Sequence, residues 1–288
     1  MRGYVQMEKS EGSLRRKSMN PVSPLFEKID ASIEKKANLF ENSFSRYAVR
    51  AVLACLFLTL GTAVAFAIAM KGEDIAHGLG KILYAFMFSW GLVMILYMNA
   101  ELGTSNMLYM TVGVFRQRLA LSKAAKILFA CIFFNMIGGI LCGFLISMTT
   151  PFQDLTLDNF MLESIAVKLA KPAATILVEG MFANIVVNTA VLISMRMKED
   201  AGKVITVVFI IFIFAFLGYE HVIANFPAFT LAYFASQGQT DGMTVSNVLH
   251  NLFFALAGNY IGGGLVMGLG YAWLNQSKSS YVDKKVVH

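Results

Sequence analysis

Two stretches decide how this chain folds: Asn99-Ala-Glu-Leu-Gly-Thr-Ser-Asn106 and Gly218-Tyr-Glu-His-Val-Ile-Ala-Asn225. Each interrupts a hydrophobic run, 80–115 or 204–235, that is too long for one crossing of a bilayer, for which about 20 apolar residues suffice. Polar, glycine-bearing residues inside such a run break the helix, and Pro227 follows the second interruption. Each run is therefore expected to be two half-helices joined by non-helical backbone. The stretches also match each other. Glu101 and Asn106 have the spacing of Glu220 and Asn225, an offset of 119 from the first glutamate to the second. Further on, Asn135-Met-Ile-Gly-Gly139 is echoed by Asn259-Tyr-Ile-Gly-Gly263 at an offset of 124.

Working outward, four more apolar runs stand at 48–70, 124–148, 172–195 and 247–274. Six spans that repeat as three plus three have an odd number in each half, so the halves insert with opposite topology. The expected fold is an all-α polytopic membrane protein. It has six transmembrane helices in a 3+3 inverted repeat, with helices 2 and 5 broken so that the two breaks meet near the midplane. Glycines 138, 139, 180, 262, 263 and 264 fit close helix packing.

Composition agrees. Of the 288 residues, 57% are hydrophobic and 15% charged, against about 25% charged in soluble domains, and the mean hydropathy is +0.61. This excludes a soluble enzyme, a disordered chain and a disulfide scaffold, and disfavours a membrane β-barrel with its short alternating strands. Cys55, Cys131 and Cys142 sit in apolar runs without metal-ligand spacing and read as small buried hydrophobes. No cofactor motif is present in the sequence.

The net charge of +6 reflects topology rather than nucleic-acid binding. Of the 24 Lys and Arg, 20 lie in the N-terminal segment to Arg50, the 116–126 and 196–203 loops and the C-tail. The other loops hold only Lys71, Lys81, Lys168 and Lys171. The positive-inside rule then places both termini in the cytoplasm. Residues 1–25 and 276–288 read as cytoplasmic tails around a transport domain at 26–275. That domain opens with an amphipathic helix over 26–47, whose apolar residues Phe26, Ile29, Ile33, Ala37, Phe40, Phe44 and Tyr47 recur at helical spacing. This helix either lies on the membrane surface or packs on the channel mouth, as an anchor or as a gate.

Ionisable groups at membrane depth are costly and mark function or a local structural need. Here they are Glu101, Glu179, Glu220 and His221. The glutamates read first as clamps that accept backbone N–H groups freed by the breaks, with Glu179 bracing the region of Asn184. His221 reads as a pathway residue, because irregular backbone in a membrane lines a cavity or is buried in protein. Around it stand the neutral hydrogen-bonding groups Thr104, Asn106, Asn184 and Asn225. Neutral donors with one titratable imidazole suit a small polar solute or a monovalent anion better than a cation. Phe88, Leu92, Leu102 and Phe214, in register with the breaks, are candidates for dry constrictions on either side of His221.

These residues resemble the formate/nitrite transporter family. Ala100-Glu-Leu-Gly-Thr-Ser105 is similar to its first loop signature and Gly218-Tyr-Glu-His-Val-Ile-Ala-Asn225 to its second, histidine-bearing loop. Gly180-Met-Phe-Ala-Asn184 resembles the span-four signature and Gly258-Asn-Tyr-Ile-Gly262 the last span, so the likeness runs over about 26–274. It implies an aquaporin-like protomer in a homopentamer, each protomer passing small monovalent anions through a bilayer, in a cell (inner or plasma) membrane. By position, His221 is the central histidine, hydrogen-bonded to Thr104 and flanked by Asn184 and Asn225. Phe88, Leu92, Leu102 and Phe214 are the apolar constrictions, and Lys168 is the basic residue of the outer vestibule. Two features depart from the pattern. Gly103 stands where a bulky aromatic is common, which is expected to widen the inner path toward substrates such as lactate. Asn188 and Thr189 stand where a Cys and an apolar residue are common.

The expected function is transport of small monovalent anions or weak monocarboxylic acids, formate first, coupled to protons through His221. Nitrite, lactate, acetate and hydrosulfide are the alternative substrates. A rival mechanism keeps the anion charged and uses an imidazolium as a fixed attractor. A neutral-solute channel for water or glycerol would use the same repeat, but the paired Asn-Pro-Ala loops of such channels are absent from the sequence. No cluster of acid, base and nucleophile suggests an enzyme.

Overall fold

Uncharged apolar runs satisfy their own backbone groups as helices, and they do so here. The computed structural model describes residues 24–275, all helices and connections with no strand among the described residues. Of the tails expected at 1–25 and 276–288, residues 1–23 and 276–288 lie outside the described residues, while Pro24 and Leu25 open the first helix. Six helical spans are long and apolar enough to cross a membrane: Phe44–Ile75, Leu79–Tyr97, Leu121–Ser147, Ala173–Arg196, Asp200–Leu217 and Val245–Leu274.

In chain order the helices are α1 (Pro24–Asn42), α2 (Phe44–Ile75), α3 (Leu79–Phe88), α4 (Trp90–Tyr97), α5 (Gly103–Phe115), α6 (Leu121–Ser147), α7 (Phe160–Leu169), α8 (Ala173–Arg196), α9 (Asp200–Leu217), α10 (Val222–Ala235), α11 (Val245–Asn259) and α12 (Gly270–Leu274). A ten-residue π-helical segment, Tyr260–Leu269, joins the last two. Within the two interrupted runs the helix unwinds over 98–102 and 218–221, and it is nicked at Ser89 between α3 and α4. Gly103–Asn106 and Val222–Asn225, expected to be part of the interruptions, are instead the first turns of α5 and α10. Asn99 at φ +54 turns the chain at the first break and Gly218 at φ +70 at the second.

Packing follows the sequence repeat. Helix α2 packs along α6 as α8 packs along α11, and α6 meets α10 as the π segment meets α5. Close approach of the π segment to α8 depends on glycine. A Cβ on Gly263 would lie 2.0 Å from Asn184 Nδ2, so only a bare backbone leaves room for that amide.

The amphipathic helix stops at Asn42, and Phe44 and Tyr47 belong to α2. Helix α1 packs on the protein itself, against α2, α5 and α8, burying Phe26, Ile29, Ile33 and Ala37. Asp30 on that buried face takes a two-pronged bond from Arg116, 2.9 Å and 2.8 Å, and a third from Arg118 at 3.1 Å. A bidentate guanidinium–carboxylate pair fixes orientation as well as contact, so α1 is tied to the turn between α5 and α6.

Candidate functional site

A helix that begins inside the protein exposes N–H groups that need acceptors. Asparagine supplies them at both breaks. At the first, Gly103 N–H donates to Asn135 Oδ1 at 2.8 Å, while Asn135 Nδ2 donates to the carbonyls of Glu101 (2.9 Å) and Ala51 (2.6 Å). At the second, Val222 N–H donates to Asn259 Oδ1 at 2.8 Å, while Asn259 Nδ2 donates to the carbonyls of Glu220 (2.9 Å) and Gly180 (2.8 Å). Each amide ties the unwound backbone just before the new half-helix to that helix's first N–H and to a neighbouring span. The expectation that the glutamates accept these N–H groups is therefore corrected. An amide has a donor and an acceptor and can bind both sides of a break, whereas an ionised carboxylate only accepts.

The carboxylates serve a different contact. Glu101 is 3% exposed and Glu220 is 0% exposed, and each is held by lysine and asparagine. Glu101 Oε2 accepts from Lys36 on α1 at 2.6 Å and from Asn106 at 3.1 Å. Glu220 accepts from Lys168 at 3.0 Å, Lys171 at 2.8 Å, Asn225 at 2.8 Å and Asn251 at 3.3 Å. Lys171 also donates to Gly218 O at 2.9 Å and to Glu179 at 2.6 Å, so Glu179 braces the second break through this lysine. Burial disfavours the charge on Lys171, but Glu220 and Glu179 outweigh it and raise its pKa above the ordinary lysine value.

His221 is the N-cap of α10, its Nδ1 accepting Ala224 N–H at 3.2 Å. That contact fixes the tautomer: with Nδ1 an acceptor, the neutral ring carries its proton on Nε2. Nε2 lies 2.9 Å from Thr104 Oγ1, so the ring donates to the threonine across the two breaks, and the hydroxyl hydrogen stays free for another acceptor. Asn184 and Asn225, expected beside the imidazole, do not bond it with their side chains. Asn184 Nδ2 donates to the carbonyls of Thr104 (3.2 Å) and Asn259 (2.7 Å), whereas the Asn225 amide serves Glu220 and Asn251. They position the loops rather than the ring.

Three of the apolar candidates lie in one buried cluster with the fourth, and two touch directly. Phe88 meets Phe214 edge to face at 5.5 Å between ring centroids, and Phe214 lies 5.9 Å from the His221 ring. Leu92 and Leu102 are buried in the same cluster. On the α1 side of Leu102 a cavity of about 260 Å³ opens, lined by Lys36, Glu101, Leu102, Ser105 and Tyr109 among others. Gly103 does not widen this passage in the direction of its absent side chain. A Cβ there would meet Ile132 at 2.9 Å, Asn135 at 3.1 Å and Ile223 at 3.2 Å, atoms that already fill the space.

Sequence reasoning missed the parts that Lys36, Lys171, Asn251, Asn135 and Asn259 play. The two last were legible only as marks of the repeat, although a lone amide at matching depth in each half was a usable signal. Lys36 and Lys171 carried none, because their partners lie 65 and 49 residues away.

A family model described as formate/nitrite transporter matches residues 23–273. The chain is 28% identical to an uncharacterized transporter, YwcJ, of Bacillus subtilis, over 86% of this chain and 96% of that protein. It is 26% identical to the nitrite transporter NirC of Escherichia coli, over 88% and 92%. Among solved structures, an FNT family ion channel superposes with a TM-score of 0.80 at 24% identity, covering 88% of this chain and 99% of that one. A pentameric formate channel with formate bound gives 0.69 at 20%, covering 81% and 98%. With two asparagine-stitched breaks joined by one histidine–threonine contact, and with a family match over nearly its whole described length, the chain belongs to the formate/nitrite transporter family.

Proposed function

We propose that the protein carries small monovalent anions across a cell membrane, formate first among them, and that each crosses the apolar constriction as the neutral acid after receiving a proton at His221. The observation that carries this reading is the 2.9 Å contact between His221 Nε2 and Thr104 Oγ1, next to the Phe88–Phe214 pair. A carboxylate stripped of water between two phenyl rings loses several kcal/mol of hydration, and neutralising it removes most of that loss.

The steps follow from the contacts. Lys168 bonds Glu220 with one of its three N–H donors and draws the anion toward the others, whereas those of Lys171 are taken by Glu179, Gly218 O and Glu220. A proton from water taken up at Nδ1, in exchange for the Ala224 bond, gives an imidazolium whose Nε2 proton passes through the Thr104 hydroxyl to the carboxylate. The ring returns to its resting form when Nδ1 gives up its proton and Nε2 regains one by the same hydroxyl. The acid then crosses neutral and releases its proton to water on the far side. Transport is expected to behave as proton symport and to run faster at acidic outside pH. The charge distribution of the loops supports a multi-pass arrangement with both termini cytoplasmic, and the pentameric relative supports a homopentamer.

The test is flux into proteoliposomes at two pH values, with formate, nitrite, lactate, acetate and hydrosulfide in competition and glycerol as the neutral control. Formate uptake should bring in protons one for one and collapse in His221→Ala. Undiminished, still pH-dependent flux in that variant refutes the proton-donor role. Formate flux without proton movement favours the fixed-attractor mechanism, and swelling with glycerol but not formate favours a neutral-solute channel.

A further inference from the structure

Asn188 on α8 has so far no part in the site, yet it is 0% exposed and touches the site's backbone. Its Nδ2 donates to Asn184 Oδ1 at 2.9 Å, to Asn184 O at 3.0 Å and, at 3.4 Å, to the carbonyl of Thr104. All three partners are acceptors, so the amide has a single admissible orientation: the NH₂ group must face them. Its carbonyl then points away, and Asn188 Oδ1 has no hydrogen-bond partner among the described residues. An open, fully buried acceptor is a cost that an apolar side chain of similar size would spare the fold. What the amide gains in return is its grip on Thr104, whose carbonyl also receives Asn184 Nδ2. Asn184 is itself anchored to the backbone carbonyl of Asn259, the residue whose side-chain amide stitches the second break. Gly263 leaves the space, since a Cβ there would lie 2.8 Å from Asn188 Nδ2.

We propose that Asn188 is a positioning residue for the Thr104–His221 pair. Two amides one helical turn apart hold the Thr104 carbonyl, and this sets the angle at which the threonine hydroxyl meets the imidazole. The inference rests on the transport reading for its effect on flux, but not for its effect on the ring.

The experiment therefore has two readouts. Full-length protein labelled with ¹⁵N-histidine is reconstituted in lipid and compared as wild type, Asn188→Leu and Asn188→Ser, with His221→Phe identifying the ring resonances. Leu matches the volume without polar atoms. Ser keeps a hydroxyl that turns back on its own helix, and it decides the matter if the Leu variant does not assemble. Both variants should move the His221 Nε2 resonance. Loss of one hydrogen bond in a positioning chain corresponds to about a threefold to tenfold change in rate. Maximal formate flux should fall by that factor with KM within about twofold, and the pH of half-maximal flux should shift. A ring resonance that stays put in the variants overturns the proposal, as does one that moves while flux and its pH profile remain at the wild-type level. If the ring moves but wild type carries no anion, the transport reading fails and the positioning role stands.

Discussion

The two breaks share one asparagine-closed hydrogen-bonded scaffold, with the side chains at its centre exchanged. In both, an asparagine from the third helix of its half joins a carbonyl inside the break to the first N–H after it. In both, the glutamate pairs with a lysine and with the asparagine of the new helix's first turns. In both, the N-cap residue is extended, at φ −98 for Leu102 and φ −128 for His221. At the sequence offset of 119, Leu102 corresponds to His221 and Thr104 to Ile223. The repeat thus puts a polar pair, Thr104 and His221, where its mirror has the apolar pair Ile223 and Leu102. The scaffold does not require the histidine. A leucine serves at the equivalent N-cap without any side-chain cap bond.

That equivalence gives the strongest prediction. His221→Leu makes the second break resemble the first, so the protein should still assemble. Formate flux in proteoliposomes should fall by about 10²- to 10⁴-fold, the range associated with a positioned proton donor. Assembly with retained flux would show that the exchanged side chain is only a cap.

The breaks also differ in how their carboxylates are neutralised. Glu101 has Lys36 alone, from a helix docked on the outside of the bundle, whereas Glu220 has Lys168 and Lys171. Breaking a buried ion pair by removing one partner costs about 3 kcal/mol or more. Lys36→Gln should therefore lower stability by about 3 kcal/mol in thermal unfolding in detergent, and it should loosen α1 in hydrogen exchange. Intermediate losses, about 2 kcal/mol each, are expected for Asn135→Leu and Asn259→Leu, since each strands buried backbone groups. The second should also lose more flux, because the Asn259 side chain holds the break that carries His221. Lys171→Gln should matter least for stability, about 1 kcal/mol or less, with Lys168 still on Glu220. Equal losses in Lys36→Gln and Lys171→Gln would mean that the second break does not depend on its extra lysine.

Some fine features of the second half follow local chemistry rather than the repeat. Pro227 inside α10 cannot donate to the Ile223 carbonyl, and the Cys55 thiol donates to that carbonyl instead, at 3.7 Å. A cysteine that reads as a plain buried hydrophobe thus serves a freed backbone acceptor.

The sequence by itself determined the six helical spans, the two interruptions and the pairing of Glu101 with Glu220, and its family resemblance gave the contact of His221 with Thr104. Apolar length and helix-breaking composition act locally and leave a linear trace, and a repeat shows itself as an offset. Only the tertiary structure decided that asparagines rather than glutamates close the breaks. It also placed Asn184 and Asn225 on the loops instead of on the imidazole, filled the space beside Gly103 with Ile132 and Ile223, and docked α1 on the protein through Asp30 and Lys36. Each of these depends on which donor stands within about 3 Å of which acceptor across separate helices, and no spacing along one helix encodes that distance.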